Sequence, residues 1–248
     1  MAGRPGRVLR GDRQEARHST AGPSRPPRTR GPWRELLGEP DLTIVVSVFG
    51  VTDEPSGVMG AGDVFGLIEL LQYLDRVGAR RPKIIKIADG DRVTDDFRRN
   101  SLILVGGPAR NADTRDAMRR LPVTHHFAEP ATTIRDTRAG RAYSYSPTLL
   151  GSPHGTDYGL LIKAGNPFNP RTSVLIIAGS SSYGSWAGTR LITEPSELDE
   201  TVAPADSFEC VFATVLDRNP QNTETLVIRK LADGSNGPDT RAGSTYGS

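Results

Sequence analysis

The chain has 248 residues, 36% of them hydrophobic and 24% charged, with 27 Gly, 19 Pro, one Cys and a formal net charge of +2. This length and balance suit one sizeable α/β domain and exclude fibres and disulfide scaffolds. No apolar run approaches the ~18 residues needed to cross a bilayer, so no membrane partner is expected, and the lone Cys210, without metal-ligand spacing, points to a reducing, cytoplasmic setting.

Charge is unevenly placed. Residues 1–40 carry nine Arg against Asp12, Glu15, Glu35 and Glu39, a net of +5, which leaves −3 for the rest. This Pro-, Gly- and Ser-rich segment reads as a disordered basic leader, with too little apolar content to offset ordering entropy. The Arg excess over Lys, 27 to 4, reads as codon bias of a GC-rich bacterial genome, so nucleic acid is not expected as a partner. Residues 41–230 form the expected α/β domain, and residues 231–248 a flexible Gly/Ser/Thr-rich tail.

Within the domain, the apolar run of residues 42–49 predicts an interior strand buried on both faces. Val64, Leu67, Ile68, Leu71 and Leu74 recur at helical spacing, with Asp63 placed to cap and Gly78 to end the helix. Residues 83–88 and 101–105 read as strands flanking a short polar helix or turn over 95–99. Gly106-Gly107-Pro108 then leads to a helix over 112–120 capped by Asn111. His125, His126 and Phe127, with a turn at 138–140, predict a β-hairpin insertion. Strands follow at 158–164 and 174–178, separated by Asn166-Pro167-Phe168-Asn169-Pro170, then a helix over 185–192 and a closing strand pair at 209–216 and 223–230. Strands alternating with helices give the expected fold class: α/β, a three-layer Rossmann-like sandwich with a mostly parallel sheet, the hairpin insertion and the C-terminal strand pair.

Ligands of open α/β sheets lie beyond the carboxyl ends of the strands, where glycine permits close approach and helix N-termini offer free N–H groups. Three glycine-rich stretches fall there. Gly60-Ala61-Gly62-Asp63-Val64-Phe65-Gly66 misses the dinucleotide fingerprint by one residue and starts about ten residues after its strand, where the fingerprint needs a tight turn. The second, Gly106, Gly107, Arg110 and Asn111, has the order of an anion nest, with Arg110 adding charge, although a tight turn also needs glycine for itself. The third, Gly179, Ser180, Ser181, Ser182 and Gly184, gathers hydroxyls and amides ahead of Arg190. It lacks the Lys-Ser/Thr of a phosphate-binding Walker loop and the frame of a nucleophile elbow.

Titratable residues add less. His125 and His126 are adjacent on a strand and point to opposite faces, so no metal site is expected. Asp89 stands where an acid would meet a ribose hydroxyl or simply begin a turn. His154 and Asp157 sit before a strand, and Asp63 on its helix; Asp63 and Asp157 are the candidate acid/base residues.

The stretches Ser101-Leu-Ile-Leu-Val-Gly-Gly-Pro-Ala-Arg-Asn111, Asp157-Tyr-Gly-Leu-Leu-Ile-Lys-Ala-Gly-Asn-Pro-Phe-Asn-Pro170 and Val174-Leu-Ile-Ile-Ala-Gly-Ser-Ser-Ser-Tyr-Gly-Ser-Trp-Ala-Gly-Thr189 together resemble a Rossmann-like module of uncharacterised bacterial proteins. The likeness extends loosely to archaeal S-layer domains. It spans residues 41–192 and implies a fold without an activity. A weaker resemblance is to nucleotide-processing glycosidases of the lysine-decarboxylase-like class, whose Gly-Gly-x-Gly-Thr-x-x-Glu loop is incomplete here: Arg190-Leu191-Ile192 follows Gly188-Thr189, without the glutamate.

The leading expectation is therefore a domain that binds a nucleotide or phosphorylated small molecule across the loops at 106–111 and 179–184, with Arg110 and Arg190 as cations. The alternatives are a nucleoside or nucleotide N-glycosidase using Asp63 or Asp157, and a non-enzymatic structural or interaction module with Tyr183 and Trp186 filling the pocket. The sequence leaves any cofactor and the oligomeric state unspecified.

Overall fold

A computed structural model describes Trp33, Leu36 and residues 39–51, 54–129, 132–145, 154–194, 198–202 and 207–232. Most of the expected basic leader and of the C-terminal tail lies outside these residues. Trp33 and Leu36 are nonetheless buried, and Trp33 meets Phe208 edge-on at 5.9 Å, so the core reaches upstream of residue 41.

Among the described residues, eleven strands fall into two sheets. The main sheet contains β1 (Leu42–Val51), β2 (Glu54–Val58), β3 (Lys83–Ala88), β4 (Ser101–Val105), β8 (His154–Asn166), β9 (Asn169–Gly179), β10 (Phe208–Asp217) and β11 (Asn219–Lys230); the small one contains β5 (His125–Ala128), β6 (Thr133–Asp136) and β7 (Ala142–Ser144). Three ladders of the main sheet are parallel, β3–β1, β1–β4 and β4–β9. The remaining four, β1–β2, β9–β8, β8–β10 and β10–β11, are antiparallel. The expectation of a mostly parallel Rossmann-like sandwich is thus overturned: the protein is a strand-rich α/β fold whose eight-stranded sheet is mostly antiparallel. The physical reason lies in the turns. Asn166 pairs with Asn169, so only Pro167 and Phe168 connect β8 to β9. A parallel crossover needs a dozen residues or more, so two can only close a hairpin. Arg218, at φ +65°, closes the β10–β11 hairpin in the same way.

Helices α1 (Ala61–Arg76), α2 (Asp95–Arg98), α3 (Ala112–Arg120), α4 (Ser182–Thr193) and α5 (Leu198–Thr201) complete the described elements. Strand alternation divides the core between the two faces of the sheet. Ile44, Val46, Ile103, Val105, Leu175 and Ile177 pack with Leu70 and Leu74 of α1 and Ala187 and Leu191 of α4. On the other face Val45, Leu102, Leu104, Val174 and Ile176 meet Ala117 and Met118 of α3 and Ile134 of β6. Among the described residues no helix is long and apolar enough to cross a membrane.

The small sheet is fastened to β10 and β11 by a buried charge cluster. His125 Nδ1 lies 3.1 Å from Glu209 Oε1, and its Nε2 lies 3.4 Å from Asp136 Oδ2. Arg229 reaches both carboxylates, at 3.2 and 3.3 Å, and also donates to the Thr124 hydroxyl. Glu209 Oε2 accepts the backbone N–H groups of Thr124 and His125. Asp136 Oδ1 accepts those of Arg138 and Ala139. Burial alone would raise both carboxyl pKa values. For Asp136 it is outweighed by the Ala139 and Arg138 amides, Arg229 and His125, and for Glu209 by His125 and Thr124, so each is held at about 2.

A carboxyl whose pKa is lower in the folded state stabilises the fold above its ordinary range and loses that contribution as pH falls toward the folded value. Thermal melts should therefore drop steeply between about pH 4 and pH 2. Glu209→Ala, which strands His125, Arg229 and Thr124, should cost about 3 kcal/mol at pH 7 by urea unfolding. A melting temperature flat across that acid range, or an unfolding midpoint unmoved by the substitution, would contradict this assignment.

Candidate functional site

The parallel strands β1, β4 and β9 end side by side, and the chain leaves each through small residues. Gly106 takes φ +105°, in the left-handed region that favours glycine, while its N–H donates to Ile177 O at 2.9 Å. An ideal Cβ there would also lie 3.1 Å from Ser47 Oγ. The loop then turns into α3, which Asn111 caps by accepting the Thr114 N–H at 3.0 Å. At the end of β9 the Ser180 N–H donates to Tyr158 O at 2.8 Å, and Ser181 becomes the N-cap of α4.

Helix α1 lies directly against α4. A Cβ on Gly62 would sit 2.3 Å from Ser182 O, and one on Gly66 3.2 Å from Trp186 Cα. The glycines that approached a dinucleotide fingerprint thus form the contact face of α1. Asp63 was expected to cap α1; instead Gly60 is the N-cap, without a side-chain bond, and Asp63 belongs to the first helical turn.

These ends enclose a cavity of about 450 Å³ lined by the following groups: Gly106, Gly107, Ala109 and Arg110 after β4; Gly179, Ser180, Ser181, Ser182 and Ser185 after β9; and Gly60 and Asp63 from α1. Ser47 and Phe49 of β1, with Thr132, complete it. The N-terminal ends of α1 and α4 both border the cavity, which places the positive ends of two helix dipoles around it. Arg110 stands at the rim, 59% exposed, 2.5 Å from Asp89 Oδ2 and 5.6 Å from the centre of the Phe49 ring. An ion pair this exposed is weak, which leaves Arg110 free to exchange partners.

Several of the residues singled out in the sequence do not line the cavity. Asn111 is committed to its cap and to Val105 O. Gly184 is packed against Gly179 and Asp157, where a Cβ would come within 2.9 Å of both. Arg190 pairs with Glu69, donates to Pro220 O and lies over the Trp186 ring. Asp157 stands behind the start of α4. Its Oδ2 accepts the Ser181 hydroxyl, and the Tyr158, Gly184 and Ser181 amides also bond the carboxyl. Burial outweighs these bonds and raises its pKa to about 6. His154 pairs with Asp217 at 3.5 Å, apart from the cavity.

Asp63 is the cavity's own acid. Burial raises its pKa to about 7, opposed only by a hydrogen bond from Ser185, whose Oγ accepts the Gly179 N–H. Asp63 Oδ1 and Ser180 Oγ are both buried and have no partner among the described residues. Gly60, Ala109 and Ser185 belong to the three glycine-rich stretches, whereas Ser47, Phe49 and Thr132 are lining residues that sequence reasoning missed. Only Ser47 carried a signal, as a hydroxyl near the end of an otherwise apolar strand.

Compared with protein-family models and with curated proteins, the chain matches none.

Because the folded state holds the Asp63 proton more tightly than the unfolded chain, the acid costs stability as pH rises from about 4 through 7. Asp63→Asn should leave the melting temperature little changed at pH 4.5 and raise it by a few degrees at pH 8. An equal shift at both pH values would show that ionisation of Asp63 is not what matters.

Proposed function

We propose that the cavity binds a small phosphorylated molecule of the nucleotide class. The reading rests on one observation: two glycine-rich strand ends far apart in sequence, at Gly106–Gly107 and Gly179–Ser182, line one cavity with Arg110 at its rim. The borders of two helix N-termini and a guanidinium in a weak exposed pair suit a phosphate. About 450 Å³ is within the usual range for a small-molecule site and accommodates a mononucleotide.

A second reading, N-glycosidic cleavage, is favoured by Asp63 alone, a cavity carboxyl with a pKa of about 7. At neutral pH such a group both accepts and donates a proton. Asp157 contributes little to this reading, because its carboxyl is engaged with the start of α4.

Calorimetric titration of the full chain with inorganic phosphate and the four ribonucleoside 5′-monophosphates should give saturable binding to one site by at least one of them. Arg110→Ala should weaken it about tenfold, the loss expected for one charge-assisted contact. No binding by any member, or affinity unaffected by Arg110→Ala, overturns the phosphate assignment. Chromatography of the same mixtures for free base decides whether cleavage accompanies binding.

A further inference from the structure

A phosphate site has no evident use for a carboxylate. Ionised Asp63 repels the anion that the helix ends and Arg110 would attract, and a carboxylate in a partly dry cavity needs hydrogen-bond donors. Its Ser185 bond leaves Oδ1 unmatched, and the buried Oγ of Ser180, another residue of the cavity lining, is unmatched as well. Buried polar atoms without partners are costly to the free protein, and a ligand that satisfies them gains the difference on binding. The ligand should therefore bring donors to Asp63 in addition to an anionic group.

The character of those donors follows from the surrounding field. The N-terminal ends of α1 and α4 both border the cavity, so positive potential already surrounds the carboxylate. A protonated amine or a metal ion would add positive charge beside those ends. Neutral hydroxyls give the carboxylate its hydrogen bonds without that penalty. Two neighbouring hydroxyls also suit the two unmatched atoms, since one can donate to Oδ1 while the other exchanges a hydrogen bond with the Ser180 hydroxyl.

We propose that Asp63 and Ser180 form a ribose-reading subsite, in which Asp63 Oδ1 accepts from the vicinal 2′,3′-diol of a 5′-nucleotide whose phosphate lies toward Gly107 and Arg110. The assignment rests on the phosphate-site reading above and adds to it the part of the ligand that confers selectivity. It separates ribonucleotides from their deoxygenated analogues, because a site built to bond a hydroxyl leaves its own polar groups unpaired when that hydroxyl is missing. The raised pKa of Asp63 adds a pH dependence, since the ionised carboxylate is the stronger acceptor for the hydroxyl at Oδ1, and selectivity for the diol should grow from pH 6 to pH 8.

The test compares each ribonucleoside 5′-monophosphate with its 2′,3′-dideoxy counterpart by calorimetry on the full-length wild type, Asp63→Asn and Ser180→Ala, each in EDTA and in magnesium. On the wild type, at least one ribonucleotide should bind roughly tenfold or more tightly than its dideoxy analogue, with or without magnesium. Asp63→Asn should bring that ratio close to one, with dideoxynucleotide affinity raised because the carboxylate no longer repels the phosphate, and Ser180→Ala should reduce the ratio in part. Equal affinity of the two ligand series on the wild type overturns the diol assignment and leaves the phosphate reading standing. A preference present only with magnesium also overturns it, because the carboxylate would then act through a cation. Absence of binding by either series removes both readings. Circular dichroism melts of both variants confirm that a lost preference is not lost fold, and a preference retained in folded Asp63→Asn refutes the role given to that residue.

Discussion

The close contact between α1 and α4 is the constraint on which the rest of the site depends. Two helices normally lie 8–10 Å apart, separated by their side chains. Here Gly62 meets the Ser182 carbonyl with no room for a Cβ, and at Gly66 a Cβ would sit tightly, 3.2 Å from Trp186 Cα. That approach brings two helix N-termini to the same end of the sheet, and it places Asp63 against Ser185, where water is scarce and its pKa rises. A side chain at Gly62 would force the helices apart and open the space that Gly60, Asp63 and Ser182 now border together.

Asp136, Glu209, Asp63 and Asp157 show that burial alone does not fix protonation. Asp136 and Glu209 are buried, yet amides, His125 and Arg229 hold them at about 2. Asp63 and Asp157 have no cation among the groups that set their pKa values and rise to about 7 and about 6. The first pair joins the small sheet to the main one, a structural task that needs fixed charge. The second pair lies at the start of α4. Only Asp63 of these two lines the cavity, and a group that titrates near neutrality next to a binding space is where function is normally sought.

Much of the local structure was legible in the sequence because its causes are local. The apolar run of β1, the Asn111 cap of α3 and the left-handed Gly78 after α1 follow from periodicity and backbone preference. Strand direction was not legible in the same way. An interior strand has the same apolar composition whether its neighbour runs parallel or antiparallel. The decisive clue for β8 and β9 was the length of the Pro167-Phe168 turn. Within the site, glycine-rich strand ends identified Gly106, Gly107 and Gly179 through Ser182, all of which line the cavity. Asn111, Gly184 and Arg190 share those stretches, yet a cap, a packing contact and an outward ion pair occupy them. Whether a polar residue serves a neighbouring element or a ligand depends on tertiary contacts that no local pattern encodes.

The mixed sheet also sets an order of assembly. The β8–β9 and β10–β11 hairpins each close over a short turn and form from neighbouring chain, whereas the β1–β4 and β4–β9 ladders join segments far apart in sequence. Contacts of high sequence separation are slow to form because loop entropy must be lost first. The cavity walls hang on those slow ladders, so during synthesis the pocket comes into being only after β9 has been made and docked, and no ligand can template the earlier steps.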